Sequence, residues 1–199
     1  MNSNNFPKFF ENDKYIVSEK VAILKFTNSY DVFDSFGNMI GRVKQNMSAG
    51  HKAASLFIGK SMIPFHFDIV DLDDNVLVSI SRGWTFWMSN ISVSTGGQEI
   101  ATINQKFAMM KPRFHINDIN GQQIGEIAGN WHAWNFKITD NSGQEIGKID
   151  KKWNGVFKEG FTTADKYQVE IDQAVKEDTQ KVVIVATAIA VDMILKEAQ

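Results

Sequence analysis

Five stretches of this chain repeat one pattern, and that repetition limits its fold more than any other feature. They are SFGNMIGRVKQNM, DDNVLVSISRGW, TGGQEIATINQKF, INGQQIGEIAGNW and NSGQEIGKIDKKW. Each holds two aliphatic residues three apart: Ile40/Val43, Leu77/Ile80, Ile100/Ile103, Ile124/Ile127 and Ile146/Ile149. Four positions beyond the second comes a large side chain, Met47, Trp84, Phe107, Trp131 or Trp153. Upstream lies Asp with Gly three residues later (Asp34/Gly37, Asp118/Gly121, Asp140/Gly143). The second copy keeps Asp71 and has Asp74 in place of Gly; the third has the shorter Thr95-Gly96-Gly97. An alternating segment precedes the turn, as in Tyr30/Val32, Phe67/Ile69, Phe114/Ile116 and Phe136/Ile138.

Alternation of this kind marks a half-buried strand. Asp bonds its own backbone two residues on and Gly accepts positive φ, so each unit predicts a β-hairpin. Aliphatics three apart fall on opposite faces of a regular strand; a bulge, or burial on both sides, resolves this. Five hairpins supply ten strands, and YIVSEKVAIL and KYQVEI add two more. An antiparallel sheet of that width curls or closes. A barrel of about twelve strands is too wide for its own side chains to fill.

The filling is at the end of the sequence. From Val182 to Leu195 only Thr187 and Asp192 interrupt an apolar run. A membrane span needs about 20 apolar residues. A run lacking a wide polar face is buried all round, so a helix over 180–197 is expected inside the barrel, through Val182, Ile184, Val185, Ile189, Val191 and Ile194. The expected organisation is a loose lead-in over 1–14 and one mainly β domain over 15–199.

The repeated D-x-x-G-x-x-I-G-x-I units, the segment KIDKKWNGVFKEGFTTADKYQVEI and the ending VVIVATAIAVDMILKE resemble the LURP-one-related and phospholipid-scramblase-like proteins. The resemblance covers about residues 15–197 and is most specific at Lys151-Lys152-Trp153, Phe161, Ala164-Asp165-Lys166-Tyr167 and the apolar stretch with Asp192. It implies a tubby-like fold: a closed antiparallel barrel of twelve strands around a central hydrophobic C-terminal helix. It also implies binding of anionic lipid headgroups through basic side chains, or, in scramblases, calcium-dependent lipid movement with an acidic segment before the terminal helix. Asp165, Glu170 and Asp172 stand there.

The residues narrow the chemistry mainly by exclusion. The absence of Cys removes disulfides, thiolate metal sites and cysteine nucleophiles, and leaves no thiol for an acyl anchor. A net charge of -2 argues against a nucleic-acid partner. No P-loop, G-x-G-x-x-G or G-x-S-x-G occurs. His51, His66, His115 and His132 form no ligand-spaced pair. Asp71 opens a calcium-loop-like run, but Val76 and Arg82 occupy the positions that need Gly and an acid. Alternation puts Glu170 and Asp172 on the solvent side of a strand. Asp192 is expected at the barrel mouth or bonded to backbone.

One positive pattern remains. Lys111, Arg113, Lys151 and Lys152 lie near Trp84, Trp87, Trp131, Trp134 and Trp153 in the repeat frame, and cations beside Trp suit an anionic membrane interface. The expectation is a non-enzymatic domain without cofactor or bound metal, binding anionic headgroups or a protein partner. It is expected in the cytoplasm, with at most peripheral membrane contact. The alternatives are a scramblase with its C-terminal segment inserted, and a carrier or enzyme with a barrel-end pocket.

Overall fold

The computed structural model describes residues 6–19, 29–46, 62–85, 88–106, 112–130, 132–151 and 166–197, with side chains to 195 in the last segment. The strands are β1 (Lys14–Glu19), β2 (Ser29–Phe33), β3 (Met39–Gln45), β4 (Phe65–Val70), β5 (Val76–Arg82) and β6 (Asn90–Thr95). They continue as β7 (Gln98–Lys106), β8 (Arg113–Asn117), β9 (Gln123–Asn130), β10 (Asn135–Asp140), β11 (Glu145–Asp150) and β12 (Lys166–Ile171). A single helix, α1 (Asp178–Glu197), follows. Each strand pairs antiparallel with its sequence neighbours, and β1 pairs with β12, closing a barrel.

The three-residue spacing of the aliphatic pairs is resolved by bulges. In the five repeated hairpins Val32 faces Gly41 but Phe33 faces Met39, Ile69 faces Val78 but Val70 faces Val76, and Val93 faces Ala101 but Ser94 faces Glu99. Ile116 then faces Gly125 but Asn117 faces Gln123, and Ile138 faces Gly147 but Thr139 faces Glu145. The extra residue each time is the first aliphatic: Ile40, Leu77, Ile100, Ile124 or Ile146. An extra residue shifts the side-chain phase by one. Both aliphatics of each pair therefore reach the core, the first partly buried against it and the second fully buried.

The turns are equally regular. Asp34 Oδ1 accepts the N–H groups of Phe36 and Asn38, both at 2.8 Å. Asp71 does the same for Asp73 and Asn75, Asp118 for Asn120 and Gln122, and Asp140 for Ser142 and Gln144, at 2.8–3.0 Å. Gly37, Gly121 and Gly143 take φ of 89°, 79° and 85°. Asp74 takes 66° at the matching position, a conformation Asp tolerates better than most residues.

Hydrogen bonds, led by the Asn75 side chain for Asp71 and the Ser142 hydroxyl for Asp140, hold these carboxyls below their ordinary value of 3.8. A depressed folded-state value contributes stability above 3.8 that is lost as pH falls through the lower folded value. Urea midpoints should therefore fall on acidification below about pH 4, and less steeply in Asp71→Asn/Asp140→Asn. Identical slopes in variant and parent would remove the turns as the cause.

The helix threads the barrel. Every residue from Val182 to Leu195 is at most 6% exposed, Thr187 and Asp192 included. The helix starts two residues before the expected Gln180, and in its first turn Lys181 Nζ meets Asp13 Oδ1 at 2.9 Å. Small residues make room for the filling. A Cβ on Gly147 would come within 3.3 Å of Ile184 Cγ2, and one on Gly41 within 2.9 Å of the Phe9 ring.

Residues ahead of β1 pack on the barrel. Residues Lys8–Glu11 form a 3-10 turn, and Phe9 and Phe10 are buried, with Phe9 5.6 Å from the ring of Tyr15. Burial of the two rings, worth about 1.5–3 kcal/mol each, offsets much of the cost of ordering the short segment.

Candidate functional site

Strand direction gives the barrel two unlike ends. Hairpin turns 34–38, 71–75, 96–97, 118–122 and 140–144 all lie at one end, here the turn end, where α1 also begins. The longer connections lie at the other, the loop end. Besides the buried Arg82, which closes β5, four described basic residues stand at the loop-end limits of strands: Lys106 closes β7, Arg113 opens β8, Lys151 follows β11 and Lys166 opens β12. Glu19 and Asp150 are the described acids at the same level. Trp84 is 54% exposed on the β5–β6 connection, and Met62, whose carbonyl accepts the Thr85 N–H at 3.2 Å, is 37% exposed beside it.

Of the four basic residues singled out from the sequence, Arg113 and Lys151 come to this one end; Lys111 and Lys152 lie outside the described residues. Arg113 Nη1 is 3.5 Å from Glu126. Lys151 Nζ lies 4.3 Å over the ring of Trp134, which is buried and stacks on Tyr167 at 5.9 Å. Trp134 thus packs the barrel while holding a cation at its rim. Trp87, Trp131 and Trp153 fall outside the described residues.

Sequence reasoning missed Lys106, Lys166 and Arg82. Burial pulls the Lys166 ammonium down from its ordinary value. Arg82 points inward and is 3% exposed, donating to the Ile63 carbonyl at 2.7 Å and Ser89 Oγ at 3.2 Å, with its guanidinium 4.5 Å from the Phe65 ring. It closes the loop end of the core. The available signal was strand direction: a residue ending an odd-numbered strand or beginning an even-numbered one lies at this end.

The acids preceding the helix do not converge. Asp165 is outside the described residues. Glu170 sits on the outer wall between Lys14 and Lys148, 2.5 Å from each. Burial pushes its carboxyl up, but bonds from Lys14 and Lys148 prevail and hold it below its ordinary value. Asp172 is exposed and accepts the Ala174 N–H at 2.8 Å. Among the described residues no group of three or more His, Cys, Asp and Glu is placed to hold a metal.

Asp192, expected at the barrel mouth or bonded to backbone, is fully buried on α1. Burial, and then the Asp192 charge, push the Tyr167 hydroxyl well above its ordinary value.

Two open clefts of about 340 and 370 Å³ flank Asp13 at the turn end, the first lined by Lys14, Lys148 and Glu170 and the second by Phe6, Phe10, Lys176 and Lys181. A Ser, an Asp and a His do meet on the outer wall. Ser79 Oγ and His66 Nε2 each bond Asp68 Oδ1, at 2.6 and 3.0 Å. The carboxylate lies between them, so the imidazole is not set to take the hydroxyl proton.

A closed twelve-stranded antiparallel barrel filled by its own C-terminal helix defines the tubby-like class of domain. The chain belongs to the Scramblase family, which matches residues 15–197. No curated protein matches the chain. A crystal structure of an Arabidopsis thaliana protein aligns with 89% of this chain and 91% of its own, at 9% identity and a TM-score of 0.49. No described helix is long and apolar enough to cross a membrane.

Proposed function

We propose that this chain is a non-enzymatic tubby-like domain that engages anionic lipid headgroups through its loop end. One observation carries the reading: Lys106, Arg113, Lys151 and Lys166 share the end on which Trp84 is exposed, while the acidic hairpin turns lie at the opposite end. A near-zero net charge hides this polarity. Near an anionic leaflet a cation contributes about 1 kcal/mol and Trp settles at headgroup depth. The connections that join strands at the loop end add Lys20, Lys25, Lys52, Lys60, Lys111, Lys152 and Lys158 in sequence, against Glu159 and Asp165. Family membership supports a lipid-related role.

Sedimentation with phosphatidylcholine vesicles containing phosphatidylserine tests this. Lys106→Glu/Arg113→Glu/Lys151→Gln should weaken binding roughly 100-fold at low salt, from about 1 kcal/mol for each of three cations. Binding of the parent should fall with salt. Unchanged partition of the variant would remove the loop end as the binding face. Release of the native chain from membranes by carbonate washing is expected; retention would favour the inserted-segment alternative.

A further inference from the structure

The turn end carries exposed apolar side chains that the barrel core does not use. Phe36 is 85% exposed, Leu72 53%, Val76 57% and Ile119 67%. Phe36, Leu72 and Ile119 occupy the β2–β3, β4–β5 and β8–β9 turns, and Val76 opens β5. The intervening β6–β7 turn has only Gly96 and Gly97 at its tip, so nothing larger interrupts the arc. The next turn, around Asn141 and Ser142, is exposed and polar. Isolated exposed apolar residues are ordinary; several on one rim mark an interaction surface.

Two further observations say what such a surface fits. The aspartate cages hold Phe36, Leu72 and Ile119 on rigid turns, which lowers the ordering cost of binding. The segments 34–38, 71–76, 95–99 and 118–122 contain Asp34, Asp71, Asp73, Asp74, Glu99 and Asp118 and no Lys or Arg. Among the described residues, Asp74 alone of these acids is met by neighbouring cations, Arg42 at 2.9 Å and Lys44 at 2.7 Å. An anionic leaflet would be repelled by this rim. A cationic chain segment with apolar side chains matches both its charge and its tips.

We propose that the arc formed by Phe36, Leu72, Val76 and Ile119 is a docking surface for a partner protein presenting a basic segment interleaved with apolar residues. The domain then has two functional ends, lipid at one and protein at the other. The second end stands on residues that the lipid reading does not use.

The probe is a short labelled peptide of alternating lysine and leucine, titrated into the full chain, with a glutamate–leucine peptide as control. The lysine–leucine peptide should bind the parent and bind Phe36→Ser/Leu72→Ser/Ile119→Ser at least ~10-fold more weakly, about 1.4 kcal/mol. The glutamate–leucine peptide should not bind. The substituted side chains are exposed, so thermal unfolding should be unchanged. If it is not, amide-resonance shifts in the parent decide: perturbation confined to 34–38, 71–76 and 118–122 upholds the surface, and perturbation elsewhere overturns it.

Equal peptide affinity in parent and variant overturns the proposal. So does sedimentation in which the parent self-associates and the variant does not, which assigns the arc to a second copy. Loss of anionic-vesicle binding in the same variant overturns it as well, making the arc a membrane face. Failure of the loop-end lipid assay leaves the peptide result standing, because residues and probe differ.

Discussion

Removal of residues 181–199 is expected to abolish cooperative folding. The segment contributes Val182, Val183, Ile184, Val185, Ile189, Val191, Met193, Ile194 and Leu195, with three alanines, all buried. Burying one large aliphatic side chain is worth about 1.5–3 kcal/mol. Nine of them amount to about 14–27 kcal/mol. Even with up to about 40% of that surface already hidden in the unfolded chain, the sum is as large as the whole stability of an ordinary domain, about 5–15 kcal/mol. The loss is also not local. Without the helix, the inward faces of all twelve strands line a space they cannot fill. Circular dichroism against urea is the check: a sharp transition with the parent's dependence on urea would show that the barrel stands without its filling.

Substitution of a single hydrogen should rank next. A Cβ on Gly129 would lie 2.1 Å from the Asn135 carbonyl oxygen and 2.6 Å from Phe136 Cα. Both are backbone atoms, so no change of rotamer relieves the clash, and β9 must separate from β10. Gly129→Ala is expected to cost about 3 kcal/mol, the upper part of the usual overpacking range. For a chain of this size that lowers the thermal midpoint by roughly 6–12 °C. Gly83→Ala is the matched control, because a Cβ there meets nothing within 4 Å, and its effect should stay within about 0.5 kcal/mol. Equal midpoints for the two variants would contradict the close approach.

The repeat frame hides the special character of Gly129. Its counterparts two residues after the second aliphatic are Gln45, Arg82, Gln105 and Lys151, so alignment treats the glycine as variation. At β9–β10 the returning strand crosses within 2.1 Å of where a Cβ would stand. There the short connection ends at Trp134 with φ of 48°. The same limit governs the candidate site. Arg113 and Lys151 were legible as basic residues near tryptophan, and direction counting would have added Lys106 and Lys166. That Trp134 is buried beneath Lys151 while Trp84 is exposed was not legible, because it depends on what packs over each ring. The full burial of Asp192 was not legible for a related reason. A helix's depth in a barrel depends on the length of the connection before it and on the contacts at its first turn, here Lys181 with Asp13.

The sequence by itself determined what is local. Aspartate cages and left-handed turn positions follow from residues within five of one another, and they set the hairpins, their number and the single apolar filling. The wide strand count and the unbroken apolar run then required closure around that run. Tertiary structure alone decided what depends on register and closure. Pairing across each hairpin placed Ile40, Leu77, Ile100, Ile124 and Ile146 as bulged residues and so turned spacing-three pairs toward one core. Closure of β1 on β12 then collected basic strand ends at one rim and apolar-tipped acidic turns at the other. Such placements couple residues far apart in the chain, and their energies come from packing and pairing that no local window contains.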